Sequence, residues 1–307
     1  MTNRIQRFIA FLLVLCIPIF AIAGCTNNDV ANAANQVTTN ANGTYSIDTK
    51  TTTPEGKLDV YMLDIGQGDA ILLKVGDEYS MIDTGDIEHR ENIVAQLKTM
   101  GVTKLKNIII THPHADHMGG FYAIAKAMPI EHVYDDGIAV DNNMYKTYEK
   151  WIEKNKIQRT TLRSGDVVDF GHGAVFVVYA PWVEPLTDKK GETDLNNNSI
   201  VGKLIFGKFS MLFTGDAEWQ EEKKLIKEQN SRLFARILKV GHHGSRTSSS
   251  EDFLKSIKPE SALISNGMYN KYGHPHDVTL RRLQENNIAI YRTDTMGRIH
   301  ISTDGNE

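Results

Sequence analysis

Four potential metal ligands lie within six residues, directly after a buried strand, and this segment constrains the fold more than any other. Residues 106–110 read Lys-Asn-Ile-Ile-Ile, a run typical of a strand covered on both faces. Residues 111–117 follow as Thr-His-Pro-His-Ala-Asp-His. Imidazole and carboxylate donors together suit zinc, manganese or iron. We therefore expect a divalent metal site at the carboxyl end of a central strand.

The spacing within this segment divides the donors into two pairs. His112 and His114 are two residues apart, so in an extended segment their side chains point to the same side. Pro113 keeps His112 extended, because the residue before a proline avoids the helical region. Asp116 and His117 are adjacent and point in different directions, towards a second position. The predicted ligands in this segment are His112, His114, Asp116 and His117.

Cysteine usage excludes thiol-based alternatives. The chain has two cysteines, Cys16 and Cys25, both in the first 25 residues. The later sequence therefore cannot form a Cys-based zinc finger, a disulfide framework or a thiol nucleophile. A net charge of −4 with 41% hydrophobic residues indicates a globular protein. The same figures exclude a basic nucleic-acid scaffold and a multi-span membrane protein.

The first 24 residues have the pattern of a secretion signal. Two arginines precede an apolar run over residues 8–23, and Ile-Ala-Gly precedes Cys25. The quartet resembles the bacterial lipobox, in which the cysteine is lipidated. We expect residues 1–24 to be a lipoprotein signal peptide, or else an uncleaved anchor, and Cys25 to carry a lipid. Either arrangement places the protein outside the cytoplasm, anchored to the bacterial cell membrane.

The rest of the chain divides into a linker and one α/β domain. Residues 25–56 are rich in Asn, Thr, Ala and Gln, which predicts a flexible tether, and residues 57–307 alternate apolar strands with helices. The predicted strands are 58–63, 70–75, 79–82, 106–110, 167–170, 174–179, 199–206, 210–213, 237–240, 262–264, 289–291 and 298–302. The predicted helices are 90–100, 121–128, 145–155, 217–228, 251–257 and 278–286. Periodicity leaves open whether the strands form one sheet or two.

The histidine cluster and three further motifs resemble the metallo-β-lactamase superfamily in content and order. Met-Ile-Asp-Thr-Gly at residues 81–85 is similar to the early motif whose aspartate, here Asp83, supports the histidine loop. Leu-Phe-Thr-Gly-Asp, ending at Asp216, resembles the motif whose carboxylate bridges two metals. Lys-Val-Gly-His-His-Gly-Ser at 239–245 resembles the later histidine motif. The resemblance implies a four-layer αββα sandwich in a single domain, residues 57–307, holding two divalent ions, zinc or manganese.

Further motifs narrow the resemblance to the extracytoplasmic hydrolase domain of the ComEC competence DNA-uptake proteins. These motifs lie at residues 63–70, 197–199, 242–245 and 272–276. That family also carries membrane-spanning channel segments, which this sequence does not show. We expect a freestanding, lipid-tethered relative, so a DNA-channel role does not carry over.

The resemblance also implies how the ligand set is completed. Asp216 would serve both metal positions. The family's usual third histidine is absent from the stretch Asn197-Asn198-Ser199, so water, Asn197 or Asn198 would complete the position of His112 and His114. We expect weaker metal binding there.

The second position would hold Asp116, His117, Asp216 and His243. In an extended segment His242 and His243 point to opposite sides, so we expect only one of them, taken as His243, to coordinate. The other would support the site or act as an acid.

These residues predict a metal-dependent phosphodiesterase or nuclease that acts on DNA through a metal-activated hydroxide. The predicted catalytic residues are Asp116, which orients the hydroxide, His274, which donates to a phosphate oxygen or leaving group, and His242. For His274 a turn-stabilising hydrogen bond is the alternative.

Three other functions stay open. A hydrolase of cell-surface phosphodiesters, such as teichoic-acid phosphorylcholine, is the first, because an acidic domain disfavours strong duplex binding. A non-catalytic binding lipoprotein is the second. β-Lactam hydrolysis is the third, and the missing third histidine argues against it.

Overall fold

The structure, a computed structural model, describes residues 54–306 and two short strands before them. These strands, β1 (Val37–Thr39) and β2 (Tyr45–Ile47), pair antiparallel within the stretch predicted as a linker. The predicted signal peptide and the lipidation site Cys25 lie outside the described residues. No helix in the described part of the chain is long and apolar enough to cross a bilayer.

Two mixed seven-stranded sheets form the centre of the described domain. In spatial order the first sheet contains β16 (Ile299–Thr303), β3 (Leu58–Met62), β4 (Ala70–Val75), β5 (Glu78–Thr84), β6 (Leu105–Ile109), β7 (Ile130–Asp135) and β8 (Gln158–Thr161). The strands from β16 to β5 pair antiparallel, and those from β5 to β8 pair parallel.

The second sheet repeats this mixture. Its order is β15 (Ala289–Arg292), β14 (Ser261–Ile264), β13 (Ile237–Lys239), β12 (Phe209–Phe213), β11 (Val201–Phe206), β10 (Ala174–Ala180) and β9 (Val167–Gly171). The strands from β12 to β15 pair parallel, and the others pair antiparallel.

Helices cover the outer face of each sheet. Those packed on the first sheet are α1 (Arg90–Thr99), α2 (Ala115–Met118), α3 (Phe121–Ala127) and α4 (Asn143–Asn155). Those on the second are α5 (Trp219–Gln229), α6 (Glu251–Ile257) and α7 (Asp277–Glu285), and a short α8 (Thr293–Met296) follows β15. A third apolar core separates the two sheets. The predicted αββα sandwich is confirmed.

Burial between layers explains the continuous apolar runs in the sequence. Every residue of β10 is buried, because one face meets the first sheet and the other meets helices. In the inter-sheet core the ring centroid of Phe176 lies 6.2 Å from that of Phe170 and 6.0 Å from that of Phe213. A Cβ on Gly202 would lie 2.2 Å from the Phe176 ring, so the glycine makes room for it.

Two strands of the first sheet are absent from the sequence prediction. All four residues of β8 are exposed, since it is the edge strand, so it carries no apolar alternation. In β7 only Ile130, Val133 and Asp135 are buried, and charged or polar residues interrupt the run. Each strand forms beside a parallel neighbour, β7 beside β6 and β8 beside β7.

The strand directions bring the sequence motifs to one edge of the sandwich. Asp83 lies at the end of β5, and the histidine segment directly follows β6. Asp216 follows β12, and His242 and His243 follow β13. Because these strands run parallel within each sheet, their carboxyl ends open towards the same edge.

Replacing Phe176 with alanine tests the inter-sheet core. The ring is 0% exposed, so we expect Phe176→Ala to lower the free energy of unfolding by about 3–5 kcal/mol. Urea unfolding monitored by circular dichroism measures the change. The control Val183→Ala removes an 82% exposed side chain and should change stability by less than about 0.5 kcal/mol. Equal effects of the two substitutions would contradict this assignment of the core.

Candidate metal centre

Asp83 orients the histidine segment from beneath. Its Oδ1 accepts a hydrogen bond from the Thr111 backbone N–H at 2.7 Å, and its Oδ2 accepts one from Thr111 Oγ1 at 2.7 Å. His117 Nδ1 also lies 2.7 Å from Asp83 Oδ2. This contact orients the ring so that Nε2 faces the site. The structure thus places Asp83 as a support for the histidines.

Four side chains converge on one point at the edge of the sandwich. Donor atoms of Asp116, His117, Asp216 and His243 all lie within 4.8 Å of one another. His117 Nε2 is 3.1 Å and His243 Nε2 is 3.6 Å from Asp216 Oδ1. His243 Nε2 is 3.3 Å from Asp116 Oδ2. The four predicted ligands of the second position therefore come together.

Unpaired buried atoms show that this cluster fits a cation. His117 Nε2, His243 Nε2 and Asp216 Oδ1 are buried and have no hydrogen-bond partner among the described residues. Buried polar atoms are costly unless satisfied. Imidazole nitrogens and carboxylate oxygens are the donors that divalent transition metals accept. A divalent ion would satisfy all three atoms at once.

A second group of nitrogens lies on the other side of Asp216. His112 Nε2 and His114 Nδ1 are 2.9 Å apart, a separation that suits two ligands of one ion, given metal–nitrogen distances of about 2.0–2.1 Å. Asp216 Oδ2 lies 3.9 Å from His112 Nε2 and 3.6 Å from His242 Nε2. Asp216 thus presents one carboxylate oxygen to each group, as a bridging ligand would.

His242 and His243 do not lie in an extended segment, and both turn a ring nitrogen towards the site. Both residues have left-handed backbone angles, with φ of 49° and 52°, and the segment is not extended. His243 is buried, with Nδ1 2.9 Å from the Ser265 carbonyl oxygen. His242 is partly exposed, with Nδ1 3.1 Å from Glu218 Oε1. Each ring is oriented by its own acceptor, and each turns Nε2 towards Asp216.

Asn197 and Asn198 do not complete the metal position of His112 and His114, because their side-chain oxygens accept hydrogen bonds elsewhere. Asn197 Oδ1 accepts a hydrogen bond from the Glu221 N–H at 3.1 Å. Asn198 Oδ1 accepts one from the Leu186 N–H at 2.8 Å, so both amides hold the loop together. It is Asn196 that lines the site, with Oδ1 buried and unpaired.

A buried ion pair lies beneath the metal donors. Lys239 is 1% exposed, and its Nζ lies 2.5 Å from Asp69 Oδ2. Asp69 Oδ1 lies 3.5 Å from His243 Nδ1. Burial raises the pKa of Asp69, but the charges of Lys239 and His243 outweigh it and lower the pKa to about 2. Asp69 therefore buttresses the site as an anion that Lys239 neutralises.

The carboxylates also shift the pKa values of the histidines. Burial lowers the pKa of His243, but Asp216 and Asp69 outweigh burial and raise it to about 10. The pKa of His117 lies well above its usual range because Asp216 and Asp83 outweigh burial in the same way. The pKa of Asp216 is held well below its usual range despite burial, chiefly by His117 and His243. The buried carboxylates therefore stabilise positive charge at this site, whether it is carried by protons or by a bound cation.

The donors form the floor of an open pocket of about 340 Å³. Its lining residues are Gln67, His114, Ala115, Asp116, Asn196, Asp216, His242, His243, Tyr272 and His274. The ring centroid of His274 lies 5.4 Å from that of His242. Burial and the neighbouring histidines lower the pKa of His274 to about 4, so its imidazole is neutral at pH 7. Its Nδ1 has no hydrogen-bond partner in the described structure.

Three residues of the site were not predicted from the sequence. Lys239 is a cation inside an otherwise apolar strand, and such a residue is almost never buried unless paired. Glu218 follows Asp216 by two positions and orients His242. Asn196 precedes the two asparagines taken as candidate ligands, and only the loop conformation distinguishes the three.

Residues 63–267 match the family model described as the metallo-beta-lactamase superfamily. The chain belongs to this superfamily. Family membership and the His/Asp cluster together identify a metal-dependent hydrolase of the metallo-β-lactamase fold.

This chain is similar to curated bacterial proteins. It is 29% identical over 247 residues to competence protein ComA of Neisseria gonorrhoeae, a match covering 80% of this chain and 32% of ComA. It is 30% identical over 264 residues to ComE operon protein 3 of Bacillus subtilis (strain 168), covering 80% of this chain and 33% of that protein. The match spans about a third of the length of these relatives.

The fold is also that of a solved protein. The metallo-beta-lactamase fold protein YhfI of Bacillus subtilis superimposes with a TM-score of 0.52, covering 78% of this chain and 96% of YhfI. The sequences are 11% identical, so the likeness extends to the fold alone.

Removing Lys239 tests the buried ion pair. We expect Lys239→Met to lower the free energy of unfolding by about 3–5 kcal/mol, because it leaves the Asp69 carboxylate buried and unpaired. Urea unfolding at pH 7 measures the change. The double variant Lys239→Met/Asp69→Asn should recover at least about 2 kcal/mol of the loss. Additive effects of the two substitutions would contradict the pairing.

Metal binding should release protons. The pKa of His243 is about 10 in the metal-free site, so this histidine is protonated at pH 7, whereas a metal binds neutral imidazole. We expect manganese affinity to rise between pH 6 and pH 9, about tenfold per pH unit for each proton displaced. Calorimetric titration in two buffers of different ionisation enthalpy counts the protons.

The variant His300→Asn is the control for this titration, because His300 is an exposed residue of β16. Its proton release should equal that of the unmodified protein. Affinity that is independent of pH would show that the histidines are already neutral.

Proposed function

We propose that this protein is a phosphodiesterase that cleaves DNA outside the cytoplasm and is anchored to the cell membrane by a lipid on Cys25. The observation that carries the proposal is the Asp216 carboxylate, which lies between two groups of histidine and aspartate donors on the floor of an open pocket. This arrangement suits two divalent ions, zinc or manganese, that share one carboxylate.

The donor set defines what bound metal would contribute. His112, His114 and His242 would hold one ion, and Asp116, His117 and His243 the other, with Asp216 between them. Bound there, the ions would neutralise charge on a phosphoryl group and lower the pKa of a coordinated water.

The pocket walls offer neutral hydrogen-bond donors above this acidic floor. Gln67 lines the pocket, and its Nε2 is buried without a hydrogen-bond partner in the described structure. The neutral imidazole of His274 offers one N–H to the same space. Such donors suit the oxygens of a phosphodiester, whose charge the metal centre compensates.

Two residues have defined positions for proton handling. Asp116 is the most exposed carboxylate of the cluster and faces the pocket, so it can orient the attacking water. The backbone of His274 is held by Asn270, whose Oδ1 accepts a hydrogen bond from the backbone N–H of His274 at 3.0 Å. Its ring can donate to a phosphate oxygen or to the leaving group.

The relatives support DNA as the substrate, since one of them is named competence protein ComA. The lipobox-like sequence before Cys25 supports an extracytoplasmic, membrane-anchored location. Substrate and location both remain proposals for this chain.

Cleavage assays with matched variants test this function. The protein, loaded separately with manganese and zinc, is incubated with linear single- and double-stranded DNA and with bis(p-nitrophenyl) phosphate. We expect Asp116→Ala to reduce kcat by at least about 10³-fold, because it loses both a ligand and the residue that orients water. His274→Ala should reduce kcat/KM by about 10²-fold. His300→Asn, on an outer strand, is the control and should keep activity within twofold.

Two outcomes would overturn the proposal. Hydrolysis of bis(p-nitrophenyl) phosphate without DNA cleavage would direct the assignment to cell-surface phosphodiesters, such as teichoic-acid phosphorylcholine. Hydrolysis of neither substrate by a preparation with measured metal content would indicate a binding lipoprotein.

A further inference from the structure

Exposed tyrosines lie on the loop that carries His274. Tyr269 is 97% exposed and Tyr272 is 53% exposed, and we call these two residues the tyrosine platform. Tyr272 also lines the metal pocket. Large apolar side chains grouped in this way beside a pocket commonly mark a binding surface.

We propose that the tyrosine platform stacks unpaired bases of a single-stranded nucleic acid and thereby delivers its backbone to the metal centre. This inference rests on the proposed phosphodiesterase function and names the form of nucleic acid that the site accepts. Base-on-tyrosine stacking is a recurrent way of holding single strands, because every base has a π-face.

Hydrogen bonds of Asn270 hold the loop together and place Tyr272 beside the metal site. Asn270 Nδ2 donates to the carbonyl oxygens of Gly267, at 2.9 Å, and His274, at 2.5 Å. Asn270 Oδ1 accepts from the N–H groups of Tyr272 and His274. A Cβ on Gly267 would lie 2.7 Å from the Gln67 backbone nitrogen, so the loop also packs closely on another pocket segment.

Tyr272 links the platform to the reacting end of the pocket. Its ring is stacked with that of His274, with centroids 5.7 Å apart and planes inclined by 23°. A base stacked on the exposed part of the Tyr272 ring would place an adjacent phosphate near His274 and the metal donors. Tyr269 lies three residues before it, at an exposed backbone position with φ of 56°. That conformation is uncommon for a tyrosine and turns the side chain fully into solvent.

A cationic group accompanies the aromatic rings. Lys271 Nζ lies 5.1 Å from the Tyr272 ring centroid. The backbone N–H of Arg246 donates to His276 Nδ1 at 3.0 Å, and the His276 ring lies 4.9 Å from that of His274, so the backbone of Arg246 adjoins the same loop. A cation beside an exposed tyrosine matches a polyanion that also presents flat, apolar faces.

The charge of the protein favours a single strand over a duplex. The chain has a net charge of −4, so broad electrostatic attraction to a duplex is weak. Stacking must then supply much of the binding free energy. In a duplex the faces of the bases are already covered by their neighbours, whereas a single strand can turn them to the protein.

Kinetics on substrates with and without bases test the inference. The metal-loaded protein is given a single-stranded oligonucleotide, an abasic oligonucleotide of equal length and the corresponding duplex. We expect the lowest KM for the single strand with bases. Tyr269→Ala and Tyr272→Ala should each raise that KM by roughly tenfold, the size of one stacked base. The KM for the abasic strand should change by less than twofold, because no base is present to stack.

Conservative and remote variants separate stacking from structural damage. Tyr269→Phe and Tyr272→Phe should keep the low KM, since stacking uses the ring face rather than the hydroxyl. Tyr122→Ala is the matched control, because Tyr122 is a 41% exposed tyrosine of α3 outside the pocket lining. It should leave KM unchanged.

Each contrary outcome has its own meaning. Equal KM values for normal and abasic strands, or a preference for duplex, would overturn the stacking inference while leaving the phosphodiesterase function intact. Hydrolysis of bis(p-nitrophenyl) phosphate without cleavage of any oligonucleotide would overturn both DNA as the substrate and the platform's role. Loss of stacking in the phenylalanine variants would show that the hydroxyls act instead.

Discussion

Buried negative charge at one edge of the two sheets is the constraint on which the site depends. Asp69, Asp83 and Asp216 are each at most 2% exposed, and an unpaired buried carboxylate costs several kcal/mol. Lys239 neutralises Asp69, and Thr111 and His117 satisfy Asp83. Asp216 is left with an unpaired oxygen between imidazoles. A bound divalent ion would complete the charge balance of the fold, so metal binding and stability would be coupled.

The layered architecture explains how this charge can be gathered in one place. The two sheets each run part of their strands parallel, and the loops that follow β5, β6, β12 and β13 open at the same edge. Apolar cores on both faces of each sheet hold the strand ends in place. The ligands themselves are oriented by acceptors outside the metal cluster, namely Asp83, Glu218 and the Ser265 carbonyl. The site is therefore preorganised by the scaffold.

The pocket combines an acidic, metal-demanding floor with neutral and cationic surroundings. Gln67 and His274 add donors at its walls, and Lys271 lies on the rim beside Tyr272. Metal on the floor would reverse the sign of the local charge, so the whole pocket would then attract an anion. The acidic floor and the donors at the walls support the proposed phosphodiesterase function. The cation and the tyrosine at the rim support the proposed role of the tyrosine platform.

The spacing of residues along the chain predicted the central strand and most of the metal-site residues. The buried run before the histidines predicted a central strand, and the residues predicted as ligands of the second position, Asp116, His117, Asp216 and His243, do converge. Edge strand β8 was missed because exposed residues carry no apolar pattern.

Residue type and short-range periodicity are enough to predict which donors are available and where strands end. Long-range packing brings His242 and His243 to the same site, because their left-handed backbone depends on it. Packing of the loop also selects Asn196 to line the pocket, while Asn197 and Asn198 hold the loop. The pairing of Lys239 with Asp69 likewise joins the end of β13 to the residue before β4 in the other sheet, and no local rule specifies contacts that only long-range packing creates.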